Sequence, residues 1–118
     1  MATIAPTISV PFQNDDSVVL VQWINVTEAD TCSATDDYIR YADRSVQFEG
    51  TFGGATAIIQ GSLDGTNFHN LHDPFGNNLS TTSATFAAIT ELARQYKPTF
   101  SGGSSQSITV TLIFKKVI

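Results

Sequence analysis

The chain has 118 residues, of which 42% are hydrophobic and only 14% are charged, and its net charge is −5. This length fits one domain with its own hydrophobic core, and the charged fraction is well below the roughly 25% usual for soluble domains. The basic residues are scattered along the sequence, which excludes a basic patch for nucleic acid, and no apolar run is long enough to span a bilayer.

Residues 1–17 are predicted to form an extended N-terminal arm. Pro6 and Pro11 disfavour both a helix and a central strand. Apolar residues recur at even positions, which places them on one face of an extended segment. We expect the arm to pack on its own domain as a first strand, to lie on a neighbouring subunit, or to be disordered. The candidate subunit contacts are Ile4, Ile8, Val10 and Phe12.

Residues 18–118 are predicted to form a single all-β domain, an antiparallel β-sandwich or jelly roll of about seven or eight short strands. Ser17–Val26 is rich in β-branched residues and predicts a long strand, in which Trp23 is expected to anchor the core. Residues 27–44 are polar and acidic. In that segment Thr35-Asp36-Asp37 either caps a short helix through Tyr41 or begins an irregular loop.

Two hairpins are predicted in the middle of the chain. Ser45–Phe52 alternates between apolar and polar residues, and Gly53-Gly54 is expected to turn it back into the next strand as a hairpin. Gly50 marks a bulge or a close approach within the first of these strands. Asp64-Gly65 is a strong signal for a second hairpin, in which Ile59 and Phe68 are expected to pack inward.

The last third of the sequence predicts three more strands. Thr81–Thr90 is predicted as a strand, although its alanines leave a helix as an alternative. Pro98 lies inside the next strand candidate, which places that strand at a sheet edge or ends it. The final strand shows the clearest alternation in the chain, with four apolar residues on one face. They are Ile108, Val110, Leu112 and Phe114.

Few residues form a pattern typical of catalysis or metal binding. His69, His72 and Asp73 are the only cluster containing histidine, and a metal site needs three or four convergent ligands, so we expect no metal and no cofactor. Cys32 is the only cysteine and has acidic neighbours in sequence, which disfavours a reactive thiol. No nucleophile elbow, P-loop or zinc-protease motif occurs, so we do not expect an enzyme.

A sugar-binding site on the loop tips is an alternative with some chemical support. Aromatic rings offer stacking faces, and short polar side chains offer hydrogen bonds. The candidate rings are Phe68, Phe75, Tyr38 and Tyr41, and the candidate polar contacts are Asp64, Asn67 and Asn77.

The amino-acid sequence of residues 46–118 resembles those of small virion proteins of tailed bacteriophages. Two segments carry the resemblance, "VQFEGTFGGATAIIQGSLDGTNFHNLHDPFGNNLS" and "ARQYKPTFSGGSSQSITVTLIF". Their matching motifs are Gly50–Thr56, Gln60–Phe68, Asp73–Asn77, Tyr96–Gly103 and Ile108–Phe114.

The resemblance implies a capsid decoration (cement) protein, made in the host cytoplasm and placed on the outer surface of the head. It also implies a homotrimer that contacts the major capsid protein, with no nucleic-acid or membrane partner. The four apolar arm residues are then candidate contacts to the capsid as well as to another subunit. The alternative is a receptor- or glycan-binding jelly-roll module of a phage tail or fibre.

Overall fold

Eleven β-strands form the regular secondary structure of the computed structural model, which describes residues 3–11 and 17–116. They are β1 Thr3–Ile4, β2 Thr7–Ser9, β3 Val18–Val26, β4 Thr31–Cys32, β5 Asp43–Thr51, β6 Thr56–Ser62, β7 His69–Asn70, β8 Ser80–Thr81, β9 Thr85–Ala88, β10 Gln95–Ser101 and β11 Ser107–Lys115. Within the described ranges, no helix is long and apolar enough to cross a membrane. The predicted all-β class is confirmed, and the sandwich or jelly-roll connectivity stays a prediction.

The strand count exceeds the expected seven or eight because several ladders are only two residues long. β1, β4, β7 and β8 are of this kind, and two residues are too few to show an alternating pattern in the sequence. β9 is formed where a helix had been the alternative. The five strands of seven to nine residues, β3, β5, β6, β10 and β11, carry most of the pairing.

Two antiparallel sheets organise the domain. The five-stranded sheet has the order β2-β3-β11-β5-β9, so the C-terminal strand lies at its centre. In the second sheet β6 pairs with β10 on one side, and with β7 and β8 on the other. β1 and β4 form a separate parallel pair.

The core lies between the inward faces of these two sheets. From β11 the four predicted apolar residues, Ile108, Val110, Leu112 and Phe114, are all fully buried, which confirms the alternation read from the sequence. The rings of Phe114 on β11 and Tyr96 on β10 lie 5.0 Å apart between centroids, so the two sheets contact each other directly. Trp23 is also fully buried, as predicted.

The predicted hairpin at Gly53-Gly54 is wrong, although the turn itself forms. Both glycines have positive φ, and the N–H of Ala55 donates to the carbonyl of Phe52 at 2.8 Å. The strands on either side, however, belong to different sheets. Because Phe52 and Ala55 are both buried, the chain passes from one sheet to the other over the core instead of folding back on itself.

The second predicted hairpin, at Asp64-Gly65, is confirmed. β6 and β7 pair through Gln60 with Asn70 and through Gly61 with His69. Ile59 is fully buried as expected. Phe68 does not pack inward: its ring lies under the ammonium group of Lys97, 4.4 Å from Nζ to the centroid, and Lys97 pairs with Gln60 outside the core.

The segment between β4 and β5 is irregular, so the helix alternative through Tyr41 is not formed. The carboxylate of Asp37 instead accepts the N–H of Ile39 at 3.0 Å. Tyr38 and Tyr41 are buried, and the ring of Tyr38 stacks on Phe114 at 4.7 Å. These two tyrosines therefore belong to the core, and the expectation that they offer stacking faces to a sugar is wrong.

Pro98 and Gly50 occupy the positions that their chemistry allows. Pro98 lies in β10, which pairs only with β6 and is an edge strand, as predicted. Gly50 has a φ of +124° and lies against β11 so closely that a Cβ would be 2.2 Å from the carbonyl oxygen of Ser107. Only glycine fits both the backbone conformation and the contact.

Candidate functional site

The arm lies along its own domain over the residues that the structure describes. β1 pairs with β4 and β2 pairs with β3. Ile4 packs against the core, and its carbonyl accepts the N–H of Ser33 at 3.0 Å. The same Ser33 accepts the indole N–H of Trp23 at 2.9 Å, so the beginning of the arm is tied to the core anchor.

Ile8 and Val10, further along the arm, remain 46% and 47% exposed. Ile8 is paired with Val21 and therefore points to the same side of the sheet as that core residue. Among residues 3–11 and 17–116, β2 is the last strand of its sheet and pairs only with β3. Phe12 lies outside the described residues. The two exposed side chains thus stand beside an open sheet edge.

The loop after β6 is built around the carboxylate of Asp64. Its Oδ1 accepts the N–H groups of Thr66 and Asn67 at 2.9 and 2.8 Å and the hydroxyl of Ser62 at 2.9 Å. Its Oδ2 accepts the side-chain amide of Asn67 at 2.7 Å. These hydrogen bonds, led by the one from the Asn67 N–H, hold the pKa of Asp64 well below its usual range. Asp64 and Asn67 are therefore engaged in shaping the loop.

The turn after Asp73 repeats the same arrangement. Asp73 Oδ1 accepts the N–H groups of Phe75 and Asn77, both at 2.9 Å, and the amide of Asn77 donates to Oδ2 at 3.3 Å. The hydrogen bond from the Asn77 N–H is the main cause of the lowered pKa of Asp73. Asn77 thus stabilises its own turn, while Phe75 extends into solvent with 89% of its surface exposed.

A cleft of about 650 Å³ lies beside the first of these loops. Its polar lining includes His69, Asn70, His72 and Glu91, and Leu63 and Leu92 form exposed apolar walls. β7 ends at Asn70, so the alternation of a strand does not reach His72, and both histidines line the same cleft. Of the loop-tip residues predicted from the sequence, Asp64 and Asn67 border it.

His72 and Glu91 form a pair at this cleft that the sequence did not reveal. Glu91 Oε1 accepts the backbone N–H of His72 at 2.8 Å, and Oε2 contacts Nδ1 of the ring. Burial acts to raise the pKa of Glu91, but the hydrogen bonds from His72 outweigh it and lower the pKa. The pairing fixes the orientation of the imidazole. No local pattern links residues that are 19 positions apart, so only the fold brings them together.

The possible metal ligands and the thiol of Cys32 can be assessed over the described residues. In residues 3–11 and 17–116, no group of three or more His, Cys, Asp and Glu side chains is arranged to hold a metal ion. Burial, followed by the charge of Asp30, raises the pKa of the Cys32 thiol to about 12. A thiol with so high a pKa is a poor nucleophile near neutral pH.

Comparisons with known proteins provide little further information. No protein-family model matches the chain, and no curated protein sequence matches it significantly. Among solved structures, the capsular polysaccharide assembling protein CapF from Staphylococcus aureus is similar over 96% of this chain, with 9% sequence identity and a TM-score of 0.30. The chain spans 28% of the length of that protein. A similarity this low supports no conclusion about the present chain.

Proposed function

We propose that the chain is a structural protein of a tailed-bacteriophage particle and acts as a capsid decoration (cement) protein. It associates with itself as a homotrimer and binds the major capsid protein on the outer surface of the head. Its role is adhesive and not catalytic. The proposal rests on the resemblance of residues 46–118 to small virion proteins and on one structural observation, the open edge of β2.

An edge strand with exposed apolar side chains is a surface on which another chain can pair. Natural proteins usually protect such edges with charges, prolines or covering loops. β2 has the sequence Thr-Ile-Ser, without a charge, and Pro6 and Pro11 flank the strand but lie outside it. Ile8 and Val10 beside it are nearly half exposed. Main-chain hydrogen bonds to the edge would supply affinity, and pockets for alternate side chains would supply specificity.

Decoration by such contacts works through repetition. One exposed edge strand offers only a few hydrogen bonds and two apolar side chains. On a capsid the same contact is repeated many times. Once one contact has formed, the next one forms within the same assembly and at a high effective concentration. Modest individual contacts then resist the separation of neighbouring capsid subunits.

The location on the particle tests the proposal most directly. We expect mass spectrometry to detect the chain in purified particles of the phage that encodes it, and cryo-electron microscopy to place it on the outside of the head. Particles without the chain contradict a structural role. A position on the tail or fibre contradicts the decoration role and favours the second candidate below.

Substitutions at the arm edge test the contact itself. Ile8→Asp is expected to reduce the mass measured by light scattering and to weaken attachment to capsids, because a carboxylate would have to be buried in the contact. Ile39→Asp is a matched control, since Ile39 is exposed to a similar extent, 40% against 46%, but lies in the loop before β5. Equal masses and equal attachment for the two variants would remove the arm from the proposal.

A second candidate function, a receptor- or glycan-binding module of a tail or fibre, is favoured by the cleft beside β7. The cleft combines apolar walls at Leu63 and Leu92 with polar side chains, the combination usual for small-ligand sites. Asp64, Asn67 and Asn77 are held by several hydrogen bonds within their own turns. Asn70 lines the cleft beside His72 and accepts one side-chain hydrogen bond, from Gln60 at 2.9 Å, so its side-chain N–H groups are better placed to contact a ligand. A glycan array should give a signal that Asn70→Ala removes and Phe75→Ala leaves intact. An array without signal contradicts this candidate.

A further inference from the structure

The outer face of the five-stranded sheet, meaning the side turned away from the core, has an uncharged centre. Strand register places its outward residues in cross-strand rows. Two adjacent rows that cross all five strands contain no charged side chain. The first row is Ser9, Leu20, Ile113, Ser45 and Ala88, and the second is Thr7, Gln22, Thr111, Gln47 and Phe86.

Large apolar side chains are exposed on this outer face. Phe86 is 74% exposed on β9 and Ile113 is 39% exposed on the central strand. Ile24, at the irregular end of β3, is also exposed. Exposed large apolar side chains grouped on one face commonly mark interaction sites, and here the side chains between them, such as Thr111 and Gln47, are polar but uncharged. The outer face is therefore suited to contact with another protein surface.

Within the described strands of this sheet, the charged side chains of the outer face lie at its two ends. At one end Lys115 on β11 pairs in register with Asp43 on β5, so opposite charges stand side by side. At the other end Glu49 lies opposite Thr109. Two copies of a chain with a net charge of −5 repel each other in most orientations. The repulsion is weakest where their uncharged surfaces face each other.

The position of Lys115 and Asp43 makes the outer face complementary to itself. A twofold axis parallel to the strands, running between β11 and β5, would place Lys115 of one copy against Asp43 of the second copy, and the reverse. Isologous contacts require this kind of self-complementarity. The uncharged rows would then face each other, with Ile113 of one copy beside Ser45 of the second. This charge arrangement singles out a second copy as the occupant.

The size of the outer face fits a weak but specific contact. Four strands, β3, β11, β5 and β9, overlap across this axis; at about 4.8 Å spacing and roughly 20 Å of strand length they give about 400 Å² on each copy. The total of about 800 Å² lies in the range of weak, transient interfaces, so a micromolar Kd is expected.

We propose that the outer face of the five-stranded sheet is a self-association surface, on which two copies of this chain pack face to face about a twofold axis. The contact is separate from the arm edge at β2, and it does not depend on the proposed role in a phage particle. Face-to-face packing alone gives a dimer. Together with an arm-mediated trimer it gives a hexamer.

A like charge at the centre of the outer face tests the proposal. Thr111→Asp is expected to weaken pairing at least about 100-fold, because carboxylates become buried without partners. Thr99→Asp is the matched control: Thr99 is also half-buried in a strand, but on the second sheet. Sedimentation at about 200 µM, well above the expected Kd, should show an even number of subunits for the wild type and Thr99→Asp. Thr111→Asp should halve this mass while Trp23 fluorescence stays native.

The arm and the outer face predict different residual species. If both contacts form, Thr111→Asp leaves a trimer and Ile8→Asp leaves a dimer, so failure of one proposal is distinguishable from failure of the other. A wild-type mass of one or three subunits at the highest concentration overturns face-to-face packing. An unchanged mass for Thr111→Asp also overturns it.

Exchange of the two end charges provides a second measurement if Thr111→Asp does not fold. Lys115→Asp places carboxylates against carboxylates across the axis and should weaken pairing about tenfold at low salt. Adding Asp43→Lys restores both cross-axis pairs, and pairing should return to within about threefold of the wild type. A double variant that pairs no better than Lys115→Asp contradicts the twofold arrangement.

Discussion

Replacing Phe114 with alanine is expected to lower the free energy of unfolding by about 4 kcal/mol, within the range measured for buried phenylalanines. Phe114 is fully buried, and three tyrosine rings surround it. The centroids of Tyr38, Tyr96 and Tyr41 lie 4.7, 5.0 and 6.1 Å from that of Phe114. Each well-oriented aromatic pair contributes about 0.5–1.5 kcal/mol beyond its buried area, and all three pairs are lost together.

The surroundings of Phe114 should not collapse to fill the cavity. β11 is hydrogen-bonded on both sides, to β3 and to β5, so its backbone cannot shift inward without breaking a ladder. Tyr96 is held by its own hydrogen bond from the N–H of Ala93, at 3.0 Å. Because the cost of a large-to-small change grows with the cavity that remains, we expect a value no lower than the middle of the range.

Urea unfolding followed by the fluorescence of Trp23, the single tryptophan, measures this loss. With a denaturant slope of about 2 kcal/mol per molar, the midpoint should fall by about 2 M. Phe75→Ala, at a ring that is 89% exposed, is the matched control and should change stability by less than about 0.5 kcal/mol. A loss below about 1.5 kcal/mol for Phe114→Ala would refute the packing argument, since it falls short of the cost of emptying a buried aromatic site.

Three further changes test the turns and the polar interior. Gly50→Ala should destabilise the protein more than Gly76→Ala, although both glycines have positive φ. A Cβ at Gly50 would lie 2.2 Å from a carbonyl oxygen of β11, whereas one at Gly76 meets nothing within 4 Å. Equal melting temperatures for the two variants would contradict this. Tyr96→Phe should cost about 1–2 kcal/mol in urea unfolding, because the N–H of Ala93 loses its acceptor, and an unchanged midpoint would argue against that bond. The pKa of Asp64 is lowered in the folded state, so the stability it contributes is fully present above an unfolded pKa of about 4 and is lost as the pH falls towards the folded value. The difference in melting temperature between wild type and Asp64→Asn should therefore shrink below about pH 4, whereas a difference that is constant with pH would exclude this linkage.

Local sequence patterns predicted the features that depend on short-range geometry. The alternation in β11 identified its buried face because side chains in a strand alternate between the two sides. Asp64-Gly65 predicted a hairpin because the turn conformation needs a residue with positive φ, and Gly65 has a φ of +79°. Pro98 predicted an edge strand because proline lacks a backbone N–H to donate.

The same short-range reasoning failed where one local sequence is compatible with two different strand pairings or two different side-chain environments. Gly53-Gly54 has the turn chemistry of a hairpin, yet it joins strands of different sheets. Pairing partners in a β protein are chosen by contacts that are distant in sequence, and β5 finds them in β9 and β11. Phe68 was expected to pack inward with the hairpin, but its ring lies under Lys97, whose position is set by the register between β6 and β10.

The candidate sites show the same division. The Asp64 and Asp73 loops were recognisable as turns, but only the structure shows that Asn67 and Asn77 are engaged inside them. The pairing of His72 with Glu91 had no signal in the sequence, because neither residue belongs to a periodic pattern that includes the other.

The sequence by itself determined an all-β chain, its main strands, its principal turns and the apolar side of its final strand, because these follow from backbone conformation and from the two-residue period of a strand. The tertiary structure decided which strands pair, which rings are buried, where a cleft forms and how an uncharged face is assembled from five strands. These features depend on residues brought together from distant parts of the chain, and a local pattern carries no information about such contacts.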